Sequence, residues 1–342
     1  MKFLKLSSIL FLFFMTQNIQ TSDDEESSLL KTTLSYEESF DPRGFIDIKN
    51  TSGRTNIEGW DKNILQIIAT KRASSQELLD ATTVELRRSD SSVEIDTICP
   101  QQTNVFSSTI INNRTVYCDG SSVISIGGTN GITIGGISIE RFLREGSSTA
   151  MARSIAFVDY VIRAPHSTLI NAQSGSGRIN MSGLLNRISL KTGSGATSVK
   201  DSTDISVQSG SGEIKITNAT GRVKVQTGSG DITTIGDLTR ADLQTGSGDI
   251  KVKGSEFSNL QTGSGDIKVY NSKNGSARAQ TGSGDITMKG KFNEVFARAG
   301  SGDITIKKAR IADALTHSGR KKVTLRGQSS AGDSSESDSD KE

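Results

Sequence analysis

The motif Gly-Ser-Gly recurs through the second half of this 342-residue chain, and that repetition limits the fold more than any other feature. Copies begin at Gly175, Gly193, Gly210, Gly228, Gly246, Gly263, Gly282 and Gly300, with steps of 17 to 19 residues. A worn copy, His317-Ser318-Gly319, follows 17 residues later. A period near 18 lies outside the helical repeat families and close to that of β-solenoids.

Alternation inside each repeat predicts strands. Asp249-Ile250-Lys251-Val252-Lys253 and Asp266-Ile267-Lys268-Val269 follow their glycine turns with period two. Ile250 and Val252 therefore share one face, and Asp249, Lys251 and Lys253 the other. A second alternating stretch precedes each turn, with apolar residues five and three positions before the first Gly, as at Ile205 and Val207. The reading is an all-β protein, a parallel β-solenoid or β-helix of about 18-residue coils, with a less regular β N-terminal part. Each coil has two short strands, a G-S-G corner, and a variable loop that absorbs the one-residue length changes. Ile214, Ile232, Ile250, Ile267, Ile286 and Ile304 then stack in one column, roughly 4.8 Å per rung. Glycine at both corner positions permits positive φ or close backbone packing.

Two polar columns accompany the core. Glu213, Asp231, Asp249, Asp266, Asp285 and Asp303 occupy equivalent places, and Lys215, Lys251 and Lys268 lie two residues further along the same face. Aspartate at a tight corner can also accept backbone N–H bonds. Gln173, Gln208, Gln226, Gln244, Gln261 and Gln280 stand two residues before the first Gly and face outward. They form either a hydrogen-bonded amide ladder or simply a soluble surface.

The rest of the chain divides around the repeats. Residues 1–20 carry Lys2 and Lys5 before the apolar run Ile9 to Met15, the layout of a secretory signal peptide. Residues 21–40 read as an acidic flexible spacer and residues 328–342 as a disordered acidic tail. The solenoid is placed at 41–327, with the regular repeats at 172–320 and an insertion at 101–150. An early divergent rung runs from Ser52-Gly53 to Gly59-Trp60, and Val84–Arg88 pairs with Val93–Thr97. The address implied is extracytoplasmic: periplasmic, cell-surface or secreted. There, Cys99 and Cys118 most simply form one disulfide.

An extended strand, Val158-Asp159-Tyr160-Val161-Ile162-Arg163-Ala164-Pro165, leads into Ser176-Gly177-Arg178-Ile179. This V-D-Y-x-V-x-x-P strand before S-G-x-I repeats resembles the bacterial putative-adhesin family, a domain of unknown function, over roughly residues 41–327. The resemblance implies a β-helix-like fold on an exported, envelope-associated protein, and no catalytic residues.

Composition narrows function further. A formal net charge of +2 gives no nucleic-acid footprint. No apolar run reaches the roughly 18 residues of a membrane-spanning helix. Two histidines and two cysteines leave little for a zinc or iron site, and no catalytic, cofactor or metal residues are assigned. G-S-G-D-I matches neither a nucleophile elbow nor a phosphate loop. The expectation is an exported, non-enzymatic structural or binding module whose polar repeat face meets glycan or another envelope component. The first alternative is a calcium-stabilised β-roll, since such rolls also repeat every 18 residues. The second is a glycan-active β-helix enzyme, although Asp119, Glu140 and Glu145 of the insertion are too scattered to form a carboxylate cluster.

Overall fold

A computed structural model describes residues 29–99 and 155–326, together with four two-residue strands between them. The expected signal peptide, most of the insertion, and the C-terminal tail lie outside the described residues. The short strands pair antiparallel, β7 (Ile110–Ile111) with β8 (Arg114–Thr115) and β9 (Thr133–Ile134) with β10 (Ile137–Ser138).

The described chain is a parallel β-solenoid. Each coil brings in an entry strand, turns at a G-S-G corner, and leaves by an exit strand on the opposite side of the core. The early rung is real: β2 (Phe45–Asn50) and β3 (Thr55–Trp60) form a coil around Gly53. It lies directly beneath the coil of β12 (Leu169–Ser174) and β13 (Ile179–Ser182), more than a hundred residues later in sequence. Above these come β14 (Ile188–Thr192), β15 (Thr197–Lys200) and β16 (Thr203–Ser209).

Next come β17 (Ile214–Thr227), β18 (Ile232–Thr245), β19 (Ile250–Thr262), β20 (Ile267–Thr281), β21 (Ile286–Ser301) and β22 (Ile304–Ser318). Each of these supplies the exit strand of one coil and the entry strand of the next. The connections expected as loops are thus bends inside continuous strands. Register shifts fall there, between Lys253 and Phe257 for example, so length changes are absorbed without slipping the core. Positive φ recurs at such bends, at Asn218, Gly221, Gly254, Asn274, Gly290 and Lys308, and also at Gly53 in the early corner and at Gly183, Asp201 and Asp204 in the first coils. β23 (Lys321–Leu325) is the last exit strand.

The first rungs are covered by two parallel strands, β11 and β6, which carry antiparallel strands outside them. On the exit side β11 (Ala156–Pro165) pairs with β3, then β4 (Ile64–Ala73) with β11, then β1 (Leu30–Ser39) with β4. On the entry side β6 (Ser92–Ile98) joins β2, with β5 (Thr83–Ser89) outermost. A single turn and a half of helix, α1 (Gln76–Ala81), is capped by the Ser75 hydroxyl and buries Leu79.

β1 corrects the reading of a flexible spacer at 21–40 over residues 30–39; residues 21–28 lie outside the described residues. Thr32, Leu34, Tyr36 and Glu38 alternate as half-buried residues, and all ten positions pair with β4. Serine and acid at the intervening positions hide this period in the composition. Burial, with the nearby Glu38 carboxylate, raises the Tyr36 phenol to about 12.

The core forms as the periodicity requires. Ile214, Ile232, Ile250, Ile267, Ile286 and Ile304 pair in register, and none is more than 1% exposed. Facing them, entry strands supply smaller residues such as Val223, Ala241, Ala277 and Val295.

Candidate functional site

Steric demand governs the corners. A Cβ on Gly246 would lie 2.3 Å from the Gly228 carbonyl oxygen, and one on Gly248 2.2 Å from that of Gly230. The same clash recurs at each rung, and none of the G-S-G glycines has positive φ. Of the two uses foreseen for these glycines, close backbone packing is the operative one. It lets the Gly246 N–H reach the Gly228 carbonyl at 2.8 Å.

The residue before the first glycine locks the corner from inside. Thr245 Oγ1 accepts from the Gly248 N–H and donates to the Gly230 carbonyl, both at 3.1 Å. Thr262 and Thr281 repeat the arrangement. These threonines are buried, two residues beyond the inward Leu243, Leu260 and Ala279 as alternation requires, so they are not part of the polar outer face.

The acidic column is a second ladder. Asp231 Oδ1 accepts the N–H of Asp249 at 2.8 Å, Asp249 that of Asp266 at 2.8 Å, and Asp266 that of Asp285 at 2.9 Å. Asp285 accepts from Asp303 at 2.8 Å. The ladder ends on Arg320, whose N–H and guanidinium both bind Asp303. Glu213, one methylene longer, makes no such bond. Backbone N–H donation, more than Lys268 at Asp266 or the Arg320 guanidinium at Asp303, holds both carboxyls below the usual carboxylate range. Lys268 adds an ion pair to Asp266 at 3.1 Å.

The entry face carries the amides. Gln226 donates to Gln244 at 3.2 Å, Gln244 to Gln261 at 3.0 Å, and Gln261 to Gln280 at 3.3 Å. Gln173 and Gln208 stand outside this run, separated by Lys191 in register. Replacing Gln244 and Gln261 together by Glu should therefore destabilise the protein by about 1–3 kcal/mol, through lost amide bonds and like charges one rung apart. Thermal melting checks this; an unchanged midpoint would leave the column with solubility alone.

Beside the amides run basic and aromatic side chains. Arg240 lies 4.8 Å from the Phe257 ring centre and Arg278 5.4 Å from that of Phe296. Two shallow depressions open on this face. One, of about 520 Å³, includes Lys49, Asp96, Gln173, Lys191 and Gln208. The other, of about 470 Å³, includes Arg222, Lys224, Arg240 and Asp242.

The V-D-Y strand is structural. Tyr160 is fully buried and hydrogen-bonds Thr97 at 2.6 Å, and burial raises its phenol to about 12. Asp159 accepts the Arg54 N–H at 2.7 Å and pairs with Arg72, pinning the early corner. His166 binds the Gly183 carbonyl through Nδ1 and faces Asp61 through Nε2 at 3.2 Å. Among the described residues, no three His, Cys, Asp or Glu side chains converge to hold a metal.

Cys99 sits half-buried after β6, its Sγ 3.9 Å from the Ala156 carbonyl and its thiol raised by burial. It is a free thiol among the described residues, and Cys118 lies outside them. The bridge remains a prediction. Protein taken from its native compartment and unfolded without reductant should show no reactive thiol; two labelled thiols would remove the bridge.

The Toastrack DUF4097 family profile matches residues 81–334. No curated protein matches the chain. Three solved structures are similar at low identity. A putative cell adhesion protein from Clostridium sporogenes is 10% identical, with 86% of this chain and 100% of that one covered and a TM-score of 0.23. A putative lipid binding protein from Parabacteroides distasonis is 13% identical, with 85% and 97% covered and a TM-score of 0.39. A putative adhesin from Bacteroides fragilis is 13% identical, with 90% and 98% covered and a TM-score of 0.32. Among the described residues, no helix is long and apolar enough to cross a membrane.

Proposed function

The chain belongs to the Toastrack DUF4097 family, and on that premise we propose that it is an exported, non-enzymatic β-solenoid of the cell envelope or surface, a structural and adhesive module that holds glycans on its entry face. The observation that carries this reading is the entry face itself. It presents a hydrogen-bonded row of amides from Gln226 to Gln280, flanked by arginines and half-exposed aromatic rings, repeated at rung spacing. An extended polymer of hydroxyl-bearing units suits such a face, because amides both donate and accept hydrogen bonds.

Two further points support it. The acidic column, the natural place to look for hydrolytic carboxylates, is committed to main-chain N–H groups of neighbouring coils. The charged and then apolar order of Lys2, Lys5 and Ile9 to Met15 supports export.

Broad glycan-array screening of the exported form, with immobilised envelope polymers, tests the proposal. Reproducible binders that are lost when Gln244 and Gln261 are replaced by alanine are expected. No binder across the arrays, or turnover of a bound glycan, would contradict it.

A further inference from the structure

The last coil departs from the repeat at the residues that would receive a further coil. The five corners before it read Ser-Gly-Asp-Ile, as at Ser247-Gly248-Asp249-Ile250, whereas the last reads Ser318-Gly319-Arg320-Lys321. Arg320 closes the acidic ladder on Asp303 and brings no carboxylate to accept the N–H of another coil. Lys321 stands in register with Ile304, at the head of the isoleucine column, and is exposed. Ile304 is fully buried although no coil lies over it among the described residues. A lysine stem laid across the column, with its ammonium in water, meets both conditions.

Both strands of this coil are edges. Among the described residues β23 pairs with β22 alone, and 311–318 of β22 pair with β21 alone. The core side of the coil is incompletely covered: Ala312 and Ala314 are half-buried, and Val323 is 38% exposed. The opposite end of the solenoid is closed differently. There α1 packs on β1 and β4, and Glu38 of β1 forms an ion pair with Arg88 of β5.

We propose that Arg320 and Lys321 are an end stop, which keeps the open C-terminal coil from joining that of a second copy of this chain and so fixes the length of the solenoid. Free strand edges recruit other strands, and sheets guard them with lysine and with charges on the core side. Joining two such ends would bury an ammonium group from each copy against isoleucine, with no partner for either. The penalty belongs to the column alone. Lys322, next in sequence and equally charged, is in register with Thr305 on the outer face and would stay in water. This inference goes beyond the glycan-binding reading and does not depend on it.

Lys321→Ile and Lys322→Ile therefore make a matched test, since they remove the same charge and add the same side chain at adjacent positions. Sedimentation of the full chain from about 5 to 500 μM reads self-association. The wild type and the Lys322→Ile protein should stay monomeric. The Lys321→Ile protein should rise with concentration toward twice the monomer mass, because the covered N-terminal end limits joining to one closed pair. Amide exchange at 311–318 and 321–325 should slow by about tenfold or more in that pair. Arg320→Asp combined with Lys321→Ile, which matches the regular corner, should associate more tightly still.

A melting midpoint no lower than the wild type's shows that each variant is folded. Should an isoleucine variant melt lower, Lys321→Met and Lys322→Met carry the same comparison, since methionine keeps most of the stem and loses the charge. A wild type that already joins through this coil would overturn the end stop. A folded but monomeric Lys321 variant, or equal association of the Lys321 and Lys322 variants, would overturn it too.

Discussion

Alanine at Gly248 is expected to destabilise the solenoid by about 2–4 kcal/mol, whereas alanine at the neighbouring Ser247 should stay within about 0.5 kcal/mol. The contrast follows from stacking. An added Cβ at Gly248 meets three backbone atoms of the preceding corner, the nearest 2.2 Å away, and backbone cannot swing aside as a side-chain tip can. Ser247 points to solvent. In a protein of this size the loss at Gly248 corresponds to a melting shift of roughly 5–10 °C. Equal midpoints for the two variants would mean that the corners do not stack as described.

A larger loss is expected from Ile250→Asp. Ile250 is 1% exposed, between Ile232 and Ile267 in the column. Aspartate there would be an ionised or strained side chain with no partner, at a cost of several kcal/mol. Coils contact only their neighbours, so the break should separate the stack and expose both halves to protease. Lys251→Asp faces solvent beside Lys268 and should change stability by about 0.5 kcal/mol at most. Similar unfolding in both variants would reverse the assignment of faces.

Much of this was legible in the sequence, because a repeat states its pattern many times. The glycine spacing placed the corners, and period two placed Ile205, Val207 and the isoleucine column inside. The early rung around Gly53 was legible as a divergent copy of that pattern, and the V-D-Y strand from its own alternation and the family resemblance it carries.

What stayed hidden depends on the coil next door. Period two puts Thr245 on the inward face with Ala241 and Leu243, but nothing within Thr-Gly-Ser-Gly says that its hydroxyl closes on the Gly230 carbonyl 15 residues earlier. Each aspartate's main partner is likewise an N–H one coil away, so lysines two residues along looked like the nearer remedy. β1 escaped notice because its order comes from pairing with β4, not from its own composition.

The acidic ladder also separates a self-sufficient scaffold from a calcium roll. Five aspartates in a column would repel by roughly 1 kcal/mol per neighbouring pair in water, yet four of them accept the N–H of the next aspartate, and Asp303 is closed off by Arg320. Charge is thus offset within the chain. The deciding measurement is thermal melting in excess chelator and in millimolar calcium, at the same ionic strength. A midpoint that is the same in both is expected; a large rise with calcium, abolished by Asp249→Asn and Asp266→Asn, would contradict the scaffold and establish the calcium roll.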